Sequence, residues 1–174
     1  MHYIMRRTGT PASRLRPHGD DFTATRRNLP HWEMGGATYF VTFRTLGVAL
    51  PRAVRSEVLA AFRYFDGERY TLWAAVVMPD HAHLLLMPRR TASGECWSLA
   101  QILHSLKSYT ANEINRVLGR RGTAWLDERF DRIVRDRAEL SEKWQYIRNN
   151  PVKAGLCTRP EEWDALYESA VFPW

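Results

Sequence analysis

The chain has 174 residues, enough for one domain with a substantial core, and 45% of them are hydrophobic. Lys and Arg total 25 against 19 Asp and Glu, a formal net charge of +6 that suits a polyanionic partner or a solvated Arg-rich surface. Two distant cysteines, Cys96 and Cys157, exclude a disulfide scaffold and a Cys-based zinc site, and no apolar run nears the roughly 20 residues of a membrane span.

Residues 1–30 are rich in Arg, Pro, Thr and Gly and show no periodicity, so they read as a basic arm ahead of a single domain over 31–174. No apolar core of a secretory signal stands at the N-terminus, and a cytoplasmic protein is expected. Order begins with a strand from Ala37 to Thr45, where Tyr39, Val41 and Phe43 alternate with Phe40, Thr42 and Arg44. A helix over 51–67 follows, with Val54, Val58, Leu59, Ala61 and Phe62 at helical spacing and Asp66-Gly67 as its stop. "RYTLWAAVVM" (69–78) and "HAHLLLM" (81–87) are two further strands, joined so tightly through Pro79-Asp80 that they form an antiparallel hairpin. After a polar loop, a long helix spans 98–119, its apolar stripe being Leu99, Ile102, Leu103, Leu106, Tyr109, Ile114 and Val117. "TAWLDERFDRIVRD" (123–136) reads as a fourth strand of irregular outline. A third helix covers 138–150, and Pro151 halts or redirects it.

The order β-α-β-β-α-β-α predicts an α+β fold: a ferredoxin-like split βαβ antiparallel sheet with two helices on one face and an additional C-terminal helix. In that topology the first and third strands lie side by side at the centre. His81, His83 and Leu85 share one face of the third strand, and Ala82, Leu84 and Leu86 share the other. The all-apolar face packs under the two helices, so the histidines look out on the open face, where the extra helix is the natural cover. Two imidazoles stacked along a strand are within reach of one divalent ion. The competing reading is a pair of structural histidines hydrogen-bonded to backbone or solvent. Position 85 is Leu, which removes a histidine-triad nucleotide hydrolase.

On the third helix, Tyr146 and Asn150 are four residues apart and share a face. A phenol is a possible nucleophile and an amide oxygen a possible ligand of a hard metal. A free phenol, with a pKa of roughly 10, needs a polarised electrophile or a base to attack at neutral pH. Taken on spacing alone, a tyrosine packed at the core edge is the plainer reading.

Together the motifs resemble the single-tyrosine HUH transposases (His, hydrophobic, His), and within them the REP-associated tyrosine transposases. The resemblance runs from about residue 26 to about 165. It rests on "RRNLPHWEMGGATYFVTFRT", on "VVMPDHAHLLLMP", on "SLKSYTANEINRVLGRRGTAWLDERFDRIVRD" and on "YIRNNPVKAGL". It implies that His81 and His83 bind a divalent metal, Mg²⁺ or Mn²⁺, that Asn150 is the third ligand, and that Tyr146 is the nucleophile. Ala82 is a small choice for the hydrophobic position; no catalytic position departs from the pattern. The implied reaction is cleavage and rejoining of single-stranded DNA at REP-like hairpins through a 5′-phosphotyrosine. A monomer is expected, although dimers occur in the wider family, and on DNA the protein would join the nucleoid. The alternatives are a domesticated hairpin-binding protein without catalysis and a metal-dependent phosphoesterase that needs no tyrosine. Candidate DNA contacts are Arg26, Arg27, Arg44, Arg89, Arg90, Lys107, Arg132, Arg135, Arg148 and Lys153.

Overall fold

A computed structural model describes residues 36–127 and 130–172. The basic arm over 1–30, with Arg26 and Arg27, lies outside the described residues. The elements are β1 (Thr38–Arg44), α1 (Arg52–Tyr64), β2 (Tyr70–Val77), β3 (His81–Pro88), α2 (Leu99–Val117), β4 (Phe130–Val134), α3 (Arg137–Lys153), a 3₁₀ turn (Pro160–Glu162) and β5 (Leu166–Glu168). One antiparallel sheet has the order β4-β1-β3-β2-β5. Its first four strands give the ferredoxin-like arrangement, with β1 and β3 paired at the centre.

Strand alternation divides the core into two layers. Val41 and Phe43 of β1 and Ala82, Leu84 and Leu86 of β3 face α1 and α2. Every apolar position expected on α1 is buried: Val54, Val58, Leu59, Ala61 and Phe62. On α2 the stripe differs from expectation. Tyr109 and Val117 are exposed, and Thr110 takes the core position in the row Ile102, Leu106, Thr110, Ile114. Its hydroxyl donates to Leu106 O (2.6 Å) and accepts from Trp125 Nε1 (2.9 Å), so a polar side chain sits in the core fully bonded.

The other layer lies between the sheet and α3. Phe40, Ala74, Val76 and Leu85 meet Leu140 and Ile147 there. Each of those two aliphatic side chains contributes roughly 1.5–3 kcal/mol by burial. A bulge in β2 between Leu72 and Ala74 turns Trp73 onto this layer as well. The helix starts at an Asp136 cap, whose Oδ1 accepts from Glu139 N–H (2.8 Å), and Glu139 reaches back to Arg135 N–H (2.9 Å).

Three outlines depart from the sequence expectations. The fourth strand is only Phe130–Val134, and Trp125 joins the sheet by a single bridge to Thr45. Pro151 does not end α3. Its missing N–H withdraws one donor near the terminus, and the next turn closes normally, with Ala154 N–H on Asn150 O (3.0 Å). The stop is Gly155, at φ 69°, where Leu156 N–H reaches Pro151 O and Gly155 N–H reaches Val152 O, a Schellman ending. Finally, β5 pairs with β2 as an addition to the expected elements, since three residues carry no readable alternation.

Candidate active site

The β2–β3 turn fixes where the histidines begin. Met78 N–H donates to His81 O (2.7 Å) across Pro79-Asp80, and the turn is tied down by Thr45 N–H to Asp80 O (2.9 Å) and Leu50 N–H to Pro79 O (2.7 Å). From there β3 carries His81, His83 and Leu85 onto the α3 face, with Arg44 opposite His81 and Thr42 opposite His83 on β1.

Each imidazole is held at Nδ1. Asp80 Oδ1 lies 2.7 Å from His81 Nδ1, and the Asp80 carboxyl is held below its usual range chiefly by this hydrogen bond, so it is the acceptor and His81 the donor. Thr42 Oγ1 lies 2.8 Å from His83 Nδ1. The two rings are 4.8 Å apart. His83 is 5% exposed, and its Nε2 is buried with no hydrogen-bond partner. A buried polar nitrogen left unpaired costs about 1–3 kcal/mol, so this atom is a vacancy in the bonding of the protein itself. With a proton on Nδ1 shared with Thr42, Nε2 turns its lone pair to that side. Burial first, then the positive charges at His81 and Arg44, push the His83 pKa down to about 3. The ring is therefore neutral at physiological pH, the state a metal ligand needs.

α3 brings Tyr146 to the same place. Its ring meets His83 edge to face at 5.2 Å and Phe40 at 5.8 Å, while Phe40 stacks on His83 at 5.2 Å. Tyr146 remains 40% exposed, open to a substrate. Asn150 is buried one turn further along the same face. Among the described residues no cluster of three or more His, Cys, Asp and Glu could hold a metal. The donors suited to a divalent ion are the imidazoles of His81 and His83, the latter neutral and with an orphaned Nε2, with the Asn150 amide as the third candidate. Nδ1 partners such as Thr42 and Asp80 are the kind that orient metal-binding histidines.

The expected basic residues divide sharply. Arg44 flanks His81 in register, and its charge acts on both His83 and Asp80. Lys153 Nζ lies 5.5 Å from the centre of the Tyr146 ring. Most of the other described ones are engaged elsewhere, and Arg89 lies far from the histidines. Lys107 donates to Leu126 O (2.6 Å), and Arg132 and Arg135 both pair with Glu139 (2.9 and 3.0 Å). Arg148 is held by Glu161 and Glu168 and lies over the Trp144 ring, so it fastens α3 to the C-terminal segment. Arg89 follows the far end of β3, about 26 Å of strand from His81, and Arg90 beside it donates to Gly94 O (2.6 Å).

Sequence reasoning missed Thr42, Phe40 and Asp80 as parts of this arrangement. Asp80 had a signal, the Pro-Asp step directly before the first histidine. Thr42 and Phe40 had none, because only the strand register places them beside His83.

No protein-family model matches the chain, and no curated protein matches it. Several solved structures are similar in shape, these two among them. One is a REP-associated tyrosine transposase bound to a REP hairpin, with TM-score 0.58, 19% identity and 75% of each chain covered. The other, from Deinococcus radiodurans, is provisionally described as a transposase; it has TM-score 0.46 and 20% identity, covering 67% of this chain and 92% of that one. At such identity the first likeness establishes a shared fold.

Proposed function

We propose that this protein cleaves and rejoins single-stranded DNA at hairpin sites, with Tyr146 as the nucleophile and His81, His83 and Asn150 as the ligands of a divalent metal. One observation carries the reading: an exposed tyrosine ring packs directly on a buried, neutral histidine whose Nε2 lacks a partner. A nucleophile and an electrophile-binding group are thereby set side by side. The fold shared with a transposase bound to a hairpin supports the choice of substrate.

In the forward step the Tyr146 hydroxyl gives up its proton and its oxygen bonds to the phosphorus of a phosphodiester. The bond from phosphorus to the 3′-oxygen breaks, and that oxygen takes up a proton and leaves as a 3′-hydroxyl. The 5′ side stays on the protein as a phosphotyrosine ester. Attack by another strand's 3′-hydroxyl reverses the step, so bond energy is conserved and no nucleotide triphosphate is consumed. Mg²⁺ or Mn²⁺, when held by His81, His83 and Asn150, supplies electrostatic stabilisation of the non-bridging oxygens. Thr42 and Asp80 keep the imidazoles in the liganding tautomer, and Phe40 holds the His83 and Tyr146 rings in register. Arg44, exposed beside His81, is placed to meet a phosphate of the approaching strand.

The test is a single-stranded hairpin oligonucleotide incubated with the protein and Mn²⁺, then run on a denaturing gel. A covalent protein–DNA adduct is expected with wild type and absent with Tyr146→Phe. Tight binding without an adduct would favour a non-catalytic hairpin binder. Cleavage that survives Tyr146→Phe would favour a phosphoesterase.

A further inference from the structure

We infer that Lys153 is a further catalytic residue, whose ammonium lies over the Tyr146 ring in the resting protein and binds the scissile phosphate during attack; this rests on the function proposed above. The helix makes it possible. Seven residues are close to two full turns, so Tyr146 and Lys153 share a face only because α3 runs on through Pro151 to Lys153. Had the proline ended the helix, the lysine would have left with the chain. Gly155 then terminates the helix at φ 69°, two residues beyond the lysine, and holds that last turn closed.

The placement is that of a cation kept for a substrate. Lys153 is exposed, and it forms no ion pair with a carboxylate among the described residues. Other cations of the same layer are committed: Arg148 to Glu161 and Glu168, Arg132 and Arg135 to Glu139, and Lys143 to Glu142 at 2.7 Å. The 5.5 Å from Nζ to the ring centre sets the ammonium within cation–π reach of the nucleophile's own ring. A phosphodiester under attack by the hydroxyl sits roughly 3–3.5 Å beyond that oxygen. A flexible four-carbon stem lets the ammonium swing along the ring to a non-bridging oxygen, where negative charge gathers as phosphorus becomes five-coordinate. Arg44 approaches from the β1 side beside His81, so the two cations bracket the site from different elements.

The test compares wild type, Lys153→Met and Lys153→Arg in the hairpin–Mn²⁺ adduct assay, with single-turnover rates at saturating DNA, DNA dissociation constants and melting temperatures. Met keeps the stem and the helix propensity while removing the charge. The expected result is a fall of about 100-fold in the Lys153→Met rate constant, in line with the loss of one transition-state stabiliser. Its DNA affinity should change less than about threefold at an unchanged melting temperature, and Arg should restore the rate to within about tenfold of wild type. A Lys153→Met rate equal to wild type overturns the inference, as does a loss confined to DNA affinity. A wild-type protein that forms no Tyr146-dependent adduct overturns the parent reading and this one with it, and is told apart by the wild-type lane alone.

Discussion

Lowering the pH should weaken the metal-free fold, and His83 gives the part of that loss that begins nearest neutrality. An unfolded histidine titrates near 6.5, whereas burial and the neighbouring positive charges hold folded His83 at about 3. Between these values the unfolded chain binds a proton that the native protein does not. The native state is therefore favoured most above pH 6.5 and loses ground as the pH falls toward 3. At about 1.4 kcal/mol per unit, the loss attributable to this ring is about 2 kcal/mol by pH 5 and about 4 kcal/mol by pH 3. Urea denaturation of the protein in chelator, at pH 7, 6 and 5, measures it. His83→Gln supplies the reference, because it keeps an amide near Thr42 and does not titrate, while every other ionisable group is shared. The wild-type stability should fall by about 2 kcal/mol more than that of the variant between pH 7 and 5. Parallel curves would mean that His83 is hydrated or already partnered, and the orphaned Nε2 would lose its meaning.

Tyr146→Phe should abolish the DNA adduct yet leave the denaturation midpoint almost unchanged, since the ring contacts with His83 and Phe40 survive. Thr42→Val keeps the strand shape and removes the partner of His83 Nδ1; Mn²⁺ affinity by calorimetry should drop about 10–100-fold. Replacing Arg148 with Met frees Glu161 and Glu168, and a stability loss of about 1–2 kcal/mol with unchanged hairpin affinity is expected from denaturation and binding curves. Gly155→Ala meets no steric obstacle but forces a left-handed backbone on alanine; a loss of about 1–2 kcal/mol in urea is expected.

Period-two and period-3.6 patterns are local, and what they govern was readable. The two faces of β3, the buried face of α1 and the central place of the histidines all follow from them. What was hidden depends on pairing or on competition between signals. Thr42 looks like any strand threonine until the β1–β3 register sets it against His83. Pro151 and Gly155 both announce a helix end; the proline lies too near the terminus to break much, and the glycine supplies the positive φ that an ending needs. Arg148 reads as a free cation because its carboxylate partners are 13 and 20 residues away, on a segment with no pattern of its own. Tyr109 mimics a member of the α2 stripe by its hydrophobic bulk, while Thr110, the true core residue, hides its polarity in two hydrogen bonds.

The strands most prone to self-association are those least available for it. "YTLWAAVV" and "HAHLLLMP" are apolar, rich in strand formers and almost uncharged, the composition of segments that stack into fibrils. Both are interior to the sheet, and its outermost members are brief: five residues in β4 and three in β5. A short border offers another chain few backbone groups to extend. β5 shields Ala74, Ala75 and Val76 of β2, and is itself anchored by Trp163 Nε1 on Val77 O (3.1 Å) and Tyr167 on Asp66 (2.9 Å). Three modest residues thus cap the edge of an apolar strand, and detaching them would turn a buried seam into an adhesive one.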